Sequence, residues 1–165
     1  MLALRYVYIL ALVVWLGGMV VLGAIVAPVT FQVLQAQDPL AGRAAAGEVF
    51  GAAIARFHYV AYGAGGAMLL SMAAMALLGP RPRHFALRTV ILASMLAVSV
   101  YSGVVVLERI AQVQGAAGVL PSRLPATDDR RVEFDRLHQT SERLMMVNLV
   151  AALVLLLWEA RDPLT

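Results

Sequence analysis

Charged residues divide the chain into four long apolar runs. Arg5 and Asp38 bracket 32 residues without Asp, Glu, Lys or Arg. Arg56 and Arg81 bracket 24, Arg88 and Glu108 bracket 19, and Arg143 and Glu159 bracket 15. About 20 apolar residues in a helix cross the hydrocarbon core of a bilayer. The first three runs meet that length directly. The fourth, 144–158, extends back through the polar stretch around Ser141. The pattern predicts four transmembrane helices, over about 5–34, 57–79, 87–108 and 140–159, in one domain spanning 1–165. The fold class is all-α, an integral membrane four-helix bundle.

Two polar boundaries sharpen the picture. Asp38-Pro39 is a good N-cap followed by a proline, and Thr127-Asp128 supplies a second cap. Helices 2 and 4 are therefore expected to extend beyond the bilayer on the same side, as amphipathic ends. The segment 109–126, with Gly115, Gly118, Pro121 and Pro125, is expected to be a loop. The first run is expected to be a retained helix rather than a cleaved signal. Its apolar stretch is about twice a normal signal core, and cleavage after Ala27 would place Pro28 next.

An even number of spans puts both termini on one side. That side carries 5 Arg and a net charge of +3, against 8 Arg and a net charge of zero on the other. The densest short basic loop, 79–88, lies on the terminal side. The positive-inside rule weighs short loops, so both termini are expected in the cytoplasm of a bacterial cell, with the chain in its inner membrane.

Composition agrees with this class. Hydrophobic residues make up 61% of the chain and charged residues 14%, where soluble domains hold roughly 45–50% and 25%. There is no cysteine, which excludes disulfides and thiolate metal sites. All 13 basic residues are Arg and fall mostly between apolar blocks, without the aromatic interleaving of a nucleic-acid surface. The expected partners are the lipid bilayer and a second membrane protein or a second copy of the chain, not nucleic acid.

The stretch WLGGMVVLGAIVAP (15–28) is apolar but rich in glycine. In lipid the helical backbone satisfies itself, and glycine supplies close approach. Gly17 with Gly18, and Gly23 with Ala27, form flat patches on helix 1. Gly63 and Ala67 form a matching patch on helix 2. Pro28 removes a backbone donor and crowds the carbonyl of Ala24, which predicts a kink. Packing and a kink are the plain reading; the sharper alternative is that the kink opens a polar cavity for a ligand, with Trp15 either in its wall or in the core.

Arg56-Phe57-His58 and Arg136-Leu137-His138 precede the two even-numbered spans on the same side. The pattern suggests two helical hairpins of related plan. Two imidazoles at similar depth on neighbouring helices are a candidate site for haem iron, copper or zinc. Asp135 and Glu142 flank His138 and could orient its ring. His84 lies in the opposite loop. Met68, Met72 and Met75 form a stripe that suits core packing, with Cu(I) binding as the sharper alternative. Tyr101 and Asn148 are polar groups inside spans and are expected to face the bundle interior. No phosphate-cradling loop, hydrolase motif or acidic pair within a span supports enzymatic chemistry.

Several motifs together carry a resemblance: Trp15-x-Gly17-Gly18, Ala27-Pro28-x-x-Phe31, Arg56-x-His58, Phe134-x-x-x-His138-x-x-Ser141 and Asn148-Leu149. In order and spacing they resemble the bacterial domain of unknown function grouped with eukaryotic transmembrane protein 205, over about 6–158. The resemblance implies a four-span helical membrane protein with no established biochemical activity. A weaker similarity runs to membrane families that hold haem b through histidines or serve copper tolerance. It implies His58 and His138 as ligands, with Arg56 and Arg136 contacting propionates or lipid phosphates. The expected function is a non-enzymatic accessory or partner-binding bundle. The alternatives are a haem b- or metal-binding protein and an oligomeric transporter of a small hydrophobic or cationic solute.

Overall fold

The computed structural model describes residues 2–39, 41–79, 84–117 and 121–161. Four helices are long and apolar enough to cross a membrane: α1 (Leu2–Gln37), α2 (Ala41–Leu78), α3 (Phe85–Ala116) and α4 (Asp129–Arg161). They pack in ring order, each against its sequence neighbours, and α4 closes against α1. With a rise of about 1.5 Å per residue, helices of this length run about 50 Å or more. They overshoot a hydrocarbon core of about 30 Å, and the excess stands on the side away from the termini.

Both expected caps form. Asp38 Oδ1 accepts the backbone N–H of Ala41 at 2.9 Å, and Asp128 Oδ1 accepts that of Arg130 at 2.9 Å. The turn between α1 and α2 is tight enough that a Cβ on Gly42 would overlap the Leu34 carbonyl.

All four helices extend, not α2 and α4 alone. The stretch Leu107–Ala117, expected as loop, continues α3. Ile110 and Val113 are three residues apart, and Val113 is buried, so this turn has an apolar stripe to lay along α4. That burial outweighs the weak helix propensity of Gly115. The connection then holds a short 3-10 turn at Pro121–Arg123; Gly118 lies outside the described residues.

The core joins Tyr8, Leu12, Trp15 and Met19 of α1 to Met68, Met72 and Met75 of α2, Leu92 and Met95 of α3, and Ala152 and Leu155 of α4. The methionine stripe is core. Lipid-facing positions such as Leu70, Leu77, Val90 and Val147 stay exposed. Lipid tails are as apolar as these side chains, so helix association rests on dispersion contacts and polar pairs.

The buried positions repeat. Leu12 and Leu92, Trp15 and Met95, Met68 and Asn148, Met72 and Ala152, and Met75 and Leu155 are each 80 residues apart. So are two π-helical turns, Leu22–Val26 in α1 and Ser102–Val106 in α3. The α1–α2 and α3–α4 hairpins therefore share one plan, entering the bilayer from the same side. That is the geometry of a parallel repeat about the membrane normal.

Candidate functional site

All four helices leave a cavity of about 790 Å³ in the half of the bundle away from the termini. Phe31, Phe50, Phe134, Ile54 and Met145 supply apolar walls, and Glu48, Glu108, Gln114, His138 and Glu142 supply polar groups. No Arg lines it. Gly23 and Gly103, the paired glycines of the two π turns, stand at its inner end. Gly23 is 18 residues along α1 from Arg5, which places that end about 27 Å from the Arg5 layer. The cavity thus opens near the second bilayer interface.

A smaller throat of about 50 Å³ continues inward and shares Ile54, Ser141 and Met145 with the cavity walls. Trp15, Met19 and Phe57 form its apolar side, and His58, Ser99, Ser102 and Asn148 its polar side. Asn148 Nδ2 donates to Ser99 Oγ at 2.9 Å, and Asn148 Oδ1 is buried without a hydrogen-bond partner. His58 Nδ1 donates to the Ile54 carbonyl at 2.9 Å. In a neutral ring that leaves Nε2 as an acceptor.

The two motif histidines stand on helices that face each other diagonally. His58 is half-buried in the throat. His138 is exposed at the cavity wall, its ring stacked on Phe134 at 5.9 Å and its Nε2 3.3 Å from Glu142 Oε1. Arg56 and Arg136 are both exposed and line neither space. His84 stacks on Trp158 at the opposite end. Among the described residues, no group of three or more His, Cys, Asp or Glu side chains is placed to hold a metal ion.

The glycines divide. Phe57 lies directly against Gly18, and Met145 is 3.6 Å from a Cβ built on Gly23, while Gly17 and Gly63 meet nothing within 4 Å. Gly18 is thus a tight approach within an expected patch, and further tight approaches fall at positions outside the patches. Gly65 admits Trp15, 3.0 Å from such a Cβ, and Gly103 admits Tyr62 and His58. Ala27 lines the cavity and Ala67 is half-buried on α2. Directly before Pro28, the Ala27 N–H bonds to the Leu22 carbonyl five residues back. The missing proline donor is absorbed by a π turn. Tyr101 differs from expectation: it is 50% exposed, whereas Asn148 is 5% exposed. Ser99, Ser102 and Val106 take the inner face of α3, and Tyr101 falls off that stripe.

One cluster was hidden in the span boundaries. Arg88 and Glu159, which only end apolar runs in the sequence, are both buried and paired, and Arg5 Nε donates to Glu159 Oε2 at 3.0 Å. Arg5 also donates to the Glu159 carbonyl at 3.2 Å. The triad ties α1, α3 and α4 together at the terminal end.

The model of a protein family, described as Domain of unknown function (DUF4149), matches residues 10–118. No curated protein and no solved structure matches the chain. The matched region holds Trp15, His58, Ser99 and Gly103 and stops before α4. It covers about two thirds of the 165 residues, and the chain belongs to this family of domains of unknown function.

Proposed function

We propose that this membrane protein is a non-enzymatic bundle that binds a small apolar solute, neutral or cationic, in the cavity between its four helices. The cavity itself supports this reading: it is of ligand size, mostly apolar, and carries a few convergent polar groups. Three glutamates and, among the described residues, no arginine in its wall disfavour anions. Transport by an oligomer is the same reading carried one step further, and a membrane protein partner would serve the accessory role. The chain sits in the bacterial inner membrane with both termini cytoplasmic, so the cavity opens away from the cytoplasm. Kinship with transmembrane protein 205 belongs to this proposal and rests on motif order alone.

Tetraphenylphosphonium, a lipophilic cation, is a suitable probe. Protein in nanodiscs is expected to bind it saturably above the level of empty discs. A Gly51→Trp variant is expected to lose at least tenfold in affinity. Gly51 lines the cavity, and a Cβ there meets nothing within 4 Å, so the indole fills the space without disturbing the helix. Binding no greater than to empty discs, or unchanged in the variant, refutes the reading. Uptake into proteoliposomes separates transport from binding.

A second reading is a haem b or metal site at His58 and His138. It is favoured by the shared walls of the two spaces these imidazoles line and by the open Nε2 of His58. Visible spectra of purified protein, oxidised and dithionite-reduced, with metal analysis, test it. A colourless, metal-free sample from cells supplied with haem and metals removes it.

A further inference from the structure

Asn148 lies 11 residues before Glu159 on α4, about 16 Å from the triad layer, near the middle of the bilayer. An unpartnered amide oxygen at that depth is costly, because no bulk water satisfies it. Asn148 is 5% exposed and lines the throat beneath the cavity, and its amide oxygen is buried without a hydrogen-bond partner. Across the throat, the Ile54 carbonyl fixes the tautomer of a neutral His58, so Nε2 offers a second lone pair. His58 and Asn148 thus bring two acceptor-bearing side chains to the wall of one small space. Ser102 and Ser141 hydroxyls stand beside them.

We infer that the throat is a head-group subsite for a neutral hydrogen-bond donor, and that the solute is an apolar molecule ending in a hydroxyl. This rests on the solute-binding reading of the cavity above. A hydroxyl donates to one acceptor and accepts from a serine, matching what the throat offers. A cationic head would be buried at mid-bilayer with no carboxylate in the throat wall, at a desolvation cost the neutral group escapes. A carboxylate would first have to pass Glu48, Glu108 and Glu142. The apolar remainder fills the cavity between Phe31, Phe50 and Phe134. The throat space of about 50 Å³ exceeds the roughly 10–15 Å³ that one water needs by a comparable measure.

Trp15 lines the throat and reports on it. In a Trp158→Phe background it is the sole tryptophan. The probes are 1-octanol and 1-methoxyheptane, equal in heavy atoms, the second lacking the donor. Both are titrated into nanodisc-embedded protein, corrected for partition into empty discs. The octanol is expected to bind about fivefold more tightly, the worth of one net hydrogen bond. Asn148→Leu is expected to reduce that preference below twofold, and undiminished tetraphenylphosphonium binding in the larger cavity, which Asn148 does not line, shows that the variant is folded. Equal affinity of the two probes in the parent protein overturns the subsite and leaves the cavity reading standing. Equal loss of both probes in Asn148→Leu does the same. If neither probe moves Trp15 and tetraphenylphosphonium also fails to bind, the cavity reading and the subsite fall together.

Discussion

At the scale of single residues, glycine does two different jobs along this chain. Gly103 sits under Tyr62 and His58 with no room for a Cβ, whereas Gly17 faces open space. Gly103→Ala is expected to destabilise the protein by roughly 1–3 kcal/mol through overpacking. Gly17→Ala is expected to be neutral or stabilising, since alanine is the better helix former. Thermal unfolding in detergent compares them, and a Gly103→Ala variant as stable as its parent would contradict the packing described. The sequence shows that small residues cluster in these spans. It does not show which of them meets a neighbour, because that depends on helix rotation. Asn148 was legible as an inward residue, for a polar amide in a bilayer avoids lipid. Tyr101 was not, since its ring tolerates the lipid face.

At the scale of elements, the caps were the most readable feature. Asp38 and Asp128 each precede a helix and each accept an orphan N–H. The Arg130 guanidinium hydrogen-bonded to Asp128 holds its carboxyl below the usual range. A carboxyl lowered in the folded state stabilises it above the unfolded pKa, and loses that contribution as pH falls through the folded value. Hydrogen exchange in the first turn of α4 is therefore expected to accelerate as pH drops below about 4, after correction for intrinsic rates. Asp128→Asn should flatten the response, and an identical pH profile in that variant would rule the linkage out. The π turns were less legible. Pro28 flags the first, but Ser102–Val106 has no proline, and only its register with Leu22–Val26 marks it.

At the scale of the whole molecule, the two hairpins are closed by unlike interactions. The cavity end is held open around apolar walls, and the terminal end is clamped by Arg5, Arg88 and Glu159. Removing one partner from a buried ion cluster strands the others. Glu159→Ala is expected to cost about 3–5 kcal/mol, and an Arg5→Leu, Arg88→Met, Glu159→Leu triple variant to recover most of it. Denaturation in mixed micelles measures both. A Glu159→Ala variant of unchanged stability would show that the triad contributes little.

The sequence by itself determined the membrane class, the number of spans, the common side of the termini and the helix starts. Each follows from hydropathy and local capping, which act within a few turns of one chain segment. It also hinted at the repeat through the paired Arg-x-His motifs. Tertiary structure alone decided the rest. Arg88 and Glu159 are span ends in sequence and a buried pair in space, because α3 and α4 bring together residues 71 positions apart. The cavity, the throat and the unpartnered oxygen of Asn148 likewise arise from the rotation of four helices about their axes, a quantity that a nearly uniform apolar pattern leaves unspecified.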